Sequence, residues 1–561
     1  MKKVIFCLAA LGLGVAVGCA PSAQDGVSSE SLRLEAAGAI EHITADALRR
    51  PIAELSSDAY GGRGPGSEGD ALARKYLIAE LEEMGYAPGA GDGAWEQPFD
   101  IIGVESSAPE VWTFTKDGNS VSLAWWDEYI ASSGVQQGAA AIDNAELVFV
   151  GYGIQAPEYE WDDFKGTDVS GKVLVIMNND PDWSDDLFQG NRRLYYGRWT
   201  YKYEKAAELG AAGAIIIHTT PSAGYPFQVV QSSWTGPQFE IPAADEARIQ
   251  IPAWTSEDAM YRIFELAGLD LDELRESAKT REFEPVALGV TTSLALANQV
   301  QRVETANVVA TLPGRDPELA NEYIVYSAHH DHIGIGKANE EGDEIYNGAL
   351  DNASGCAQVL AIARSFAALP ERPRRSIMLS FVAAEEQGLL GSAYFAQNPP
   401  VPAGKMAANI NYDGANIWGR NRDVTYIGYG KSSLDAVVER FAAEQGRTVK
   451  PDQFPDRGFF YRSDQFNFAK VGVPAVYLDT GTEFVDRPEG WGKEQIEAWE
   501  AVHYHQPSDE LIDEWSFDGM IEDAVLGFKI GLELAERDEL PAWNEGDEFE
   551  AARLAALAAL N

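Results

Sequence analysis

The sequence predicts an α/β protein whose mainly parallel central sheet is covered by helices and whose chain is interrupted by a smaller α/β domain. Three observations lead there. After about Thr305 the short apolar runs Tyr323 to Ser327, Ile377 to Val382, Asn409 to Tyr412 and Ala475 to Leu478 alternate with helical stretches, as in parallel strands buried on both faces. The segment 141–298 repeats a strand, helix, strand pattern on a smaller scale. Finally, 561 residues exceed one ordinary core.

Taken in order, Lys2 and Lys3 precede an apolar run from Val4 to Val17. That run is shorter than the roughly 20 residues that span a bilayer, so residues 1–18 read as an export signal. Its end, Val15-Ala16-Val17-Gly18-Cys19, resembles a bacterial lipobox with Ala16 where Leu is usual. The resemblance makes residues 19–34 a lipid anchor on Cys19 followed by a tether; simple cleavage near this point is the alternative. Residues 35–140 form the first part of the main domain. Ile43, Leu48, Ile52 and Leu55 share a helical face, the Gly-rich run Gly61 to Gly66 breaks it, and a second amphipathic helix runs from Ala71 to Met84. In the insert, strands at Leu147 to Phe149, Val173 to Met177 and Ala214 to Ile217 surround a helix from Tyr201 to Leu209 that stops at Gly210. With His218 as its one His and no Cys, the insert is a poor place for a metal centre. Residues 299–540 complete the main domain, and 541–561 read as a tail.

Against 43 Lys and Arg stand 88 Asp and Glu, a formal charge of −45. This excludes nucleic-acid or anionic-membrane binding through basic patches and leaves the lipid anchor as the expected membrane attachment. Oligomeric state is left open. Of three cysteines, Cys7 lies in the leader and Cys19 in the anchor, so Cys356 is alone in the body and no internal disulfide forms. Cys356 lies in an apolar helix, Ala353 to Phe366, and reads as core.

Five of the seven His fall in two short segments, His329-His330-Asp331-His332 and His503-Tyr504-His505. His329, the pair Glu385-Glu386 and Asp413 each follow a separate strand, so metal-ligand chemistry reaches one edge of the sheet, where active crevices of such folds lie. His330 should point away from His329 and belong to the wall or core, and His332 is left without a role. Glu385 and Glu386 are adjacent and diverge on an extended segment, so one binds and the other acts.

The stretches Ala328 to His332, Gly348 to Gly355, Ala384 to Ser392, Asn411 to Asp413 and Tyr504 to Asp509 resemble the co-catalytic zinc peptidases of the M twenty-eight family. Gly151-Tyr152-Gly153 and Gly210 to Ala214 resemble the protease-associated domain that interrupts many of them. The resemblance implies an exopeptidase acting on peptides, aminopeptidase ahead of carboxypeptidase or dipeptidase. A glutaminyl-cyclase-like transferase and a non-catalytic receptor-like lipoprotein are the rivals. It implies two Zn²⁺, with Asp351 bridging, His329 and Asp413 on one ion, and Glu386 and His505 on the other. It further implies Glu385 as general base, Tyr504 on the oxyanion and Asp331 holding the second ring nitrogen of His329. Arg462 would pair with a substrate group. Leu350 departs from the Asp or Asn usual before the bridging residue, at a position that is not a ligand.

Overall fold

The computed structural model describes residues 38–184, 187–243 and 247–560; the leader, Cys19 and the tether lie outside the described residues. The strands that position the site are β1 (Glu96–Ser107), β2 (Val286–Leu312), β3 (Tyr323–His329), β4 (Ser376–Val382), β5 (Met406–Asn411), β6 (Asp423–Ile427) and β7 (Ala475–Asp479). At the centre β4, β3, β5 and β7 lie side by side and parallel. Antiparallel β2 flanks β4, and antiparallel β6 flanks β7. The mainly parallel sheet read from the sequence is therefore its middle, with antiparallel margins.

Both faces are buried, and alternation along each strand divides the residues between them. Ile324, Tyr326, Ile377, Leu379 and Ile410 face a core shared with helices α1 (Ala45–Leu55), α2 (Glu68–Glu83), α3 (Ser354–Ala368) and α4 (Asp518–Glu536). Val325, Met378 and Met406 pack on the other side with Phe395 and Phe468. The first two helices start where sequence chemistry places a cap: Thr44 Oγ1 accepts from Ala47 N–H, and Ser67 Oγ from Asp70 N–H.

The second unit has its own parallel strands, Ala139–Phe149, Val173–Met177, Gly213–His218 and Ile251–Ser256. Its limits differ from those the sequence suggested. β2 is 27 residues long and serves both units: Ala297 to Val308 pairs with β1, while Val286 to Ala297 pairs with Ala139–Phe149. The boundary at 298 thus falls inside one strand. Trp112, Phe114, Leu123 and Tyr129, grouped above with residues 35–140, are buried in the second core. A strand that runs on through a junction presents no Pro- or Gly-rich linker, so composition marks no break there.

Residues 541–560 are docked rather than a free tail. Trp543 is buried and donates to Gly472 O at 3.1 Å, and Arg553 donates to Met406 O at 2.9 Å. Among the described residues no helix is long and apolar enough to cross a membrane.

Candidate metal centre and its cavity

The strand register sets the site. His329 pairs with Val382 across β3 and β4, and Ser327 with Asn411 across β3 and β5, so three strands end at one level. His329 is the last residue of β3. Past β4 the chain turns through Ala384, whose φ of 55° is left-handed, and this turn presents Glu385 and Glu386. Asp413 lies two residues beyond β5. Asp351 sits in the irregular turn Ala349–Ala353 that leads into α3. Gly348 precedes that turn with φ 56°, and a Cβ there would stand 2.2 Å from Asp351 O and 2.5 Å from the His332 ring. Only glycine fits that approach.

These side chains converge. His329 Nε2 is 3.2 Å from Asp351 Oδ1 and 3.2 Å from Asp413 Oδ1. His505 Nε2 is 3.3 Å from Asp351 Oδ2 and 2.9 Å from Glu386 Oε2. The two oxygens of Asp351 thus face two different imidazoles. Glu385 Oε2 is 4.0 Å from His329 Nε2. Metal-type donors of His329, Asp351 and Glu386 lie within 4.8 Å of one another, as do those of His329, Glu385 and Asp413.

The electrostatics ask for positive charge. Burial opposes protonation of His329, but the Glu385 and Asp413 carboxylates outweigh it and hold the imidazole well above its ordinary range. Burial likewise opposes His505, yet Glu386 and Asp351 lift it to about 10. Protons on two imidazoles thus offset the crowded carboxylates. Two imidazole nitrogens and three carboxylates in a buried cluster form the nitrogen and oxygen donor set that suits zinc, so the residues present fit divalent cations. The neighbouring glutamates diverge. Burial, with Asp413 and Glu386, pushes Glu385 well above the carboxylate range; burial also opposes ionisation of Glu386, but His505 and His332 bring it down to about 2.

A supporting layer was only partly legible in the sequence. The Asp331 carboxylate lies 3.7 Å from His329 Nδ1, which is nearer, at 3.3 Å, to the Asp331 carbonyl. The carboxylate instead accepts the N–H of Glu385 at 3.1 Å and of Glu386 at 3.4 Å, so it fixes the turn that carries both glutamates. His330 is buried as expected, with Nε2 2.9 Å from Asp70 Oδ1. His332, left over in the sequence, has Nδ1 2.5 Å from Glu386 Oε1. Asp509 accepts from the N–H of Leu350 at 2.8 Å and of Asp351 at 3.0 Å. Arg63, read only as part of a Gly-rich break, is fully buried and donates to the carbonyls of Leu55, His330, Asn347 and Gly348. A lone Arg between glycines was the one available signal. Cys356 is buried, its thiol donating to His329 O at 3.1 Å.

The insert reaches the same place. Ser233, at the end of the helix Phe227–Ser233, lies with Oγ 2.6 Å from His505 Nδ1, a contact with no sequence signature. His218 in the insert points elsewhere, toward Tyr225 O, and burial lowers it to about 4. Ser233 Oγ, by accepting a hydrogen bond from His505 Nδ1–H, leaves Nε2 directed toward Asp351 and Glu386. Ser233→Ala is therefore expected to weaken metal affinity by about 10-fold to 100-fold, the usual cost of losing such a partner, with Ser233→Thr restoring most of it. Competition with a chelator of known affinity measures this, and equal affinities for Ser233→Ala and the parent would refute it.

A cavity of about 890 Å³ opens over the cluster, walled by both units. Tyr504 packs against His505 with ring centroids 4.0 Å apart and planes tilted by 35°, and its hydroxyl accepts from Arg462 Nη2 at 3.1 Å.

Residues 307–528 match the model of Peptidase family M28. Leucine aminopeptidase 2 of Trichophyton rubrum is 28% identical over 324 residues, covering 55% of this chain and 55% of that protein. Leupeptin-inactivating enzyme 1 of Streptomyces exfoliatus is 25% identical over 209 residues, 36% of this chain and 43% of its own. The chain thus spans less than two thirds of the length of these curated relatives. Among solved structures, an aminopeptidase from Aneurinibacillus sp. strain AM-1 shares the fold with a TM-score of 0.53 at 18% identity, over 90% of this chain and 97% of that one. Every residue of the cluster, from His329 to His505, lies inside the segment that matches Peptidase family M28.

Proposed function

We propose that the chain is an exported zinc exopeptidase, an aminopeptidase, that works with two Zn²⁺ per chain. The observation that carries this is the convergence of His329, Asp351, Glu385, Glu386, Asp413 and His505 at three strand ends and two turns, under one cavity. Asp351 would be shared, with His329 and Asp413 on one side and Glu386 and His505 on the other. Zinc bound there would supply Lewis-acid polarisation and a water acidic enough to attack a peptide carbonyl near neutral pH. The protein's own residues do the rest. Glu385, close to the cluster yet farther from His329 than Asp351 or Asp413, takes the proton of the attacking water and returns it to the leaving amine. Burial holds the Tyr504 hydroxyl well above its ordinary pKa, so it stays a donor and can steady the oxyanion, with Arg462 behind it. The names of relatives, leucine aminopeptidase and leupeptin-inactivating enzyme, support peptide substrates.

The test is metal content and turnover on one preparation. Two zinc ions per chain are expected, with chelation abolishing hydrolysis of aminoacyl-anilides and free peptides. Full activity with one tightly held ion in metal-free buffer would remove the dinuclear reading, and inertness of the zinc-loaded protein toward both substrate types would remove the peptidase reading. Export through the leader and attachment at Cys19 belong to the same proposal. Cys19→Ser is expected to move the protein out of the detergent phase, and failure to incorporate labelled fatty acid into the parent would exclude the anchor.

A further inference from the structure

The carboxyl end of β7 delivers one more acid to the cavity. β5 and β7 run parallel, with Asn409 opposite Ala475 and Asn411 opposite Tyr477. Asp413 and Asp479 each follow two residues after that last pair, so they stand at neighbouring positions along the sheet edge. Alternation sets the direction of Asp479. Val476 and Leu478 pack into the helix-covered core, while Ala475 and Tyr477 pack on the opposite face, which Asp479 therefore shares. On that face the Tyr477 hydroxyl donates to Asp413 O at 2.8 Å, and Asp413, Tyr477 and Asp479 all line the cavity.

The wall around this acid is apolar and aromatic. Ile496, Trp499 and Glu500 share one face of the helix Trp491–Val502 and line the cavity, as does Phe454, whose N–H donates to Asp452. Among the described residues no Lys, Arg or His pairs with Asp479, and its carboxylate accepts only the N–H of Thr480, at 2.6 Å. Two arginines of the adjoining turns are committed elsewhere: Arg457 pairs with Glu500 and Glu497, and Arg462 donates to the Tyr504 hydroxyl. Burial, joined by the Asp452, Asp413 and Glu500 carboxylates, pushes the Asp479 carboxyl up to about 7. Its surroundings lack a cation.

We propose that this recess receives the side chain of the substrate's first residue and that Asp479 selects Lys or Arg there. A long aliphatic stem lies along Ile496, Trp499 and Phe454 while its charged tip reaches the carboxylate, and an aromatic wall itself attracts a cation. A charge-assisted hydrogen bond in a recess shielded from water is stronger than a neutral one, which turns the contact into selectivity. Because Asp413 belongs to the metal centre, the residue whose carbonyl is polarised there has its side chain beside the end of β7. A formal charge of −45 also draws cationic peptides toward the chain. The inference rests on the aminopeptidase reading above and narrows it to peptides that begin with a basic residue.

The experiment measures kcat/KM on the p-nitroanilides of lysine and norleucine, which share the aliphatic stem and the α-amine and differ in the ε-ammonium. The parent is expected to favour lysine, and Asp479→Asn to lower the lysine-to-norleucine ratio at least about 10-fold, chiefly through KM, with Asp479→Glu between the two. A parent that favours norleucine overturns the proposal. So does a ratio in Asp479→Asn within about 2-fold of the parent's, which is the result if Asp479 instead meets the α-amine that both substrates carry. If the parent cleaves neither anilide, the aminopeptidase reading fails instead. The recess is then judged by calorimetric binding of lysinamide and norleucinamide to the zinc-loaded parent and Asp479→Asn chains. A preference for lysinamide that Asp479→Asn removes supports the assignment, and equal binding by the parent, or a preference that survives the substitution, overturns it.

Discussion

Replacing Glu385 by Gln is expected to lower peptide hydrolysis by about two to four orders of magnitude while leaving metal content unchanged. The substitution keeps the shape and hydrogen-bonding reach of the side chain but removes its ability to accept a proton, the contribution usual for general-base catalysis. The structure separates the two adjacent glutamates by their company. Glu386 lies 2.9 Å from His505 and 2.5 Å from His332, and these imidazoles hold its carboxyl at about 2. Glu385 stands 4.0 Å from His329, and burial pushes its carboxyl well above the ordinary range. Glu386→Gln should therefore lose or weaken one ion and lose activity through that loss. Because Glu385 also sits within reach of His329 and Asp413, counting metal in both variants beside kcat is the decisive measurement. Metal lost from Glu385→Gln and retained by Glu386→Gln would exchange the two roles.

Arg63→Met is expected to cost at least about 3 kcal/mol of stability, because it strands the buried carbonyls of Leu55, His330 and Asn347 at no less than about 1 kcal/mol each, while Gly348 O keeps the N–H of Ala353. The Arg63 guanidinium donates to Leu55 O at 2.6 Å, His330 O at 2.8 Å, Asn347 O at 2.6 Å and Gly348 O at 2.8 Å. It thereby ties α1 to the segment after His329 and to the turn before Asp351. Burial lowers its pKa, and Cys356, Asp331 and Asp509 partly restore the charge. Arg63→Lys, a point donor that cannot span four acceptors, should fall between the two. Urea midpoints of the full chain, with and without zinc, give the result. A midpoint for Arg63→Met within about 1 kcal/mol of the parent would show that water replaces the guanidinium.

The strands and helices of the main domain were legible because each obeys a local rule. β3, β4, β5 and β7 are continuous apolar runs, since a strand covered on both faces has no polar side to show. Strand ends then brought His329, Glu385, Glu386 and Asp413 into view before any coordinates, because parallel strands in one sheet deliver their carboxyl ends to one edge. Asp351 and His505 came from motif resemblance, and the fold sets them against that same edge.

What the sequence by itself determined is thus the α/β class, the order of the elements and the residue types gathered at the strand ends. Tertiary structure alone decided the partners. Asp331 turned out to hold the Glu385–Glu386 turn, His332 to meet Glu386, and Arg63 to bind carbonyls up to 285 residues away in the chain. It also decided that the insert, which offers no ligand of its own, places Ser233 on His505 and Arg198 in the cavity wall. The physical reason is range. Propensity and periodicity act over a few residues, whereas a hydrogen bond between positions 272 residues apart is fixed only when two separately folded cores meet.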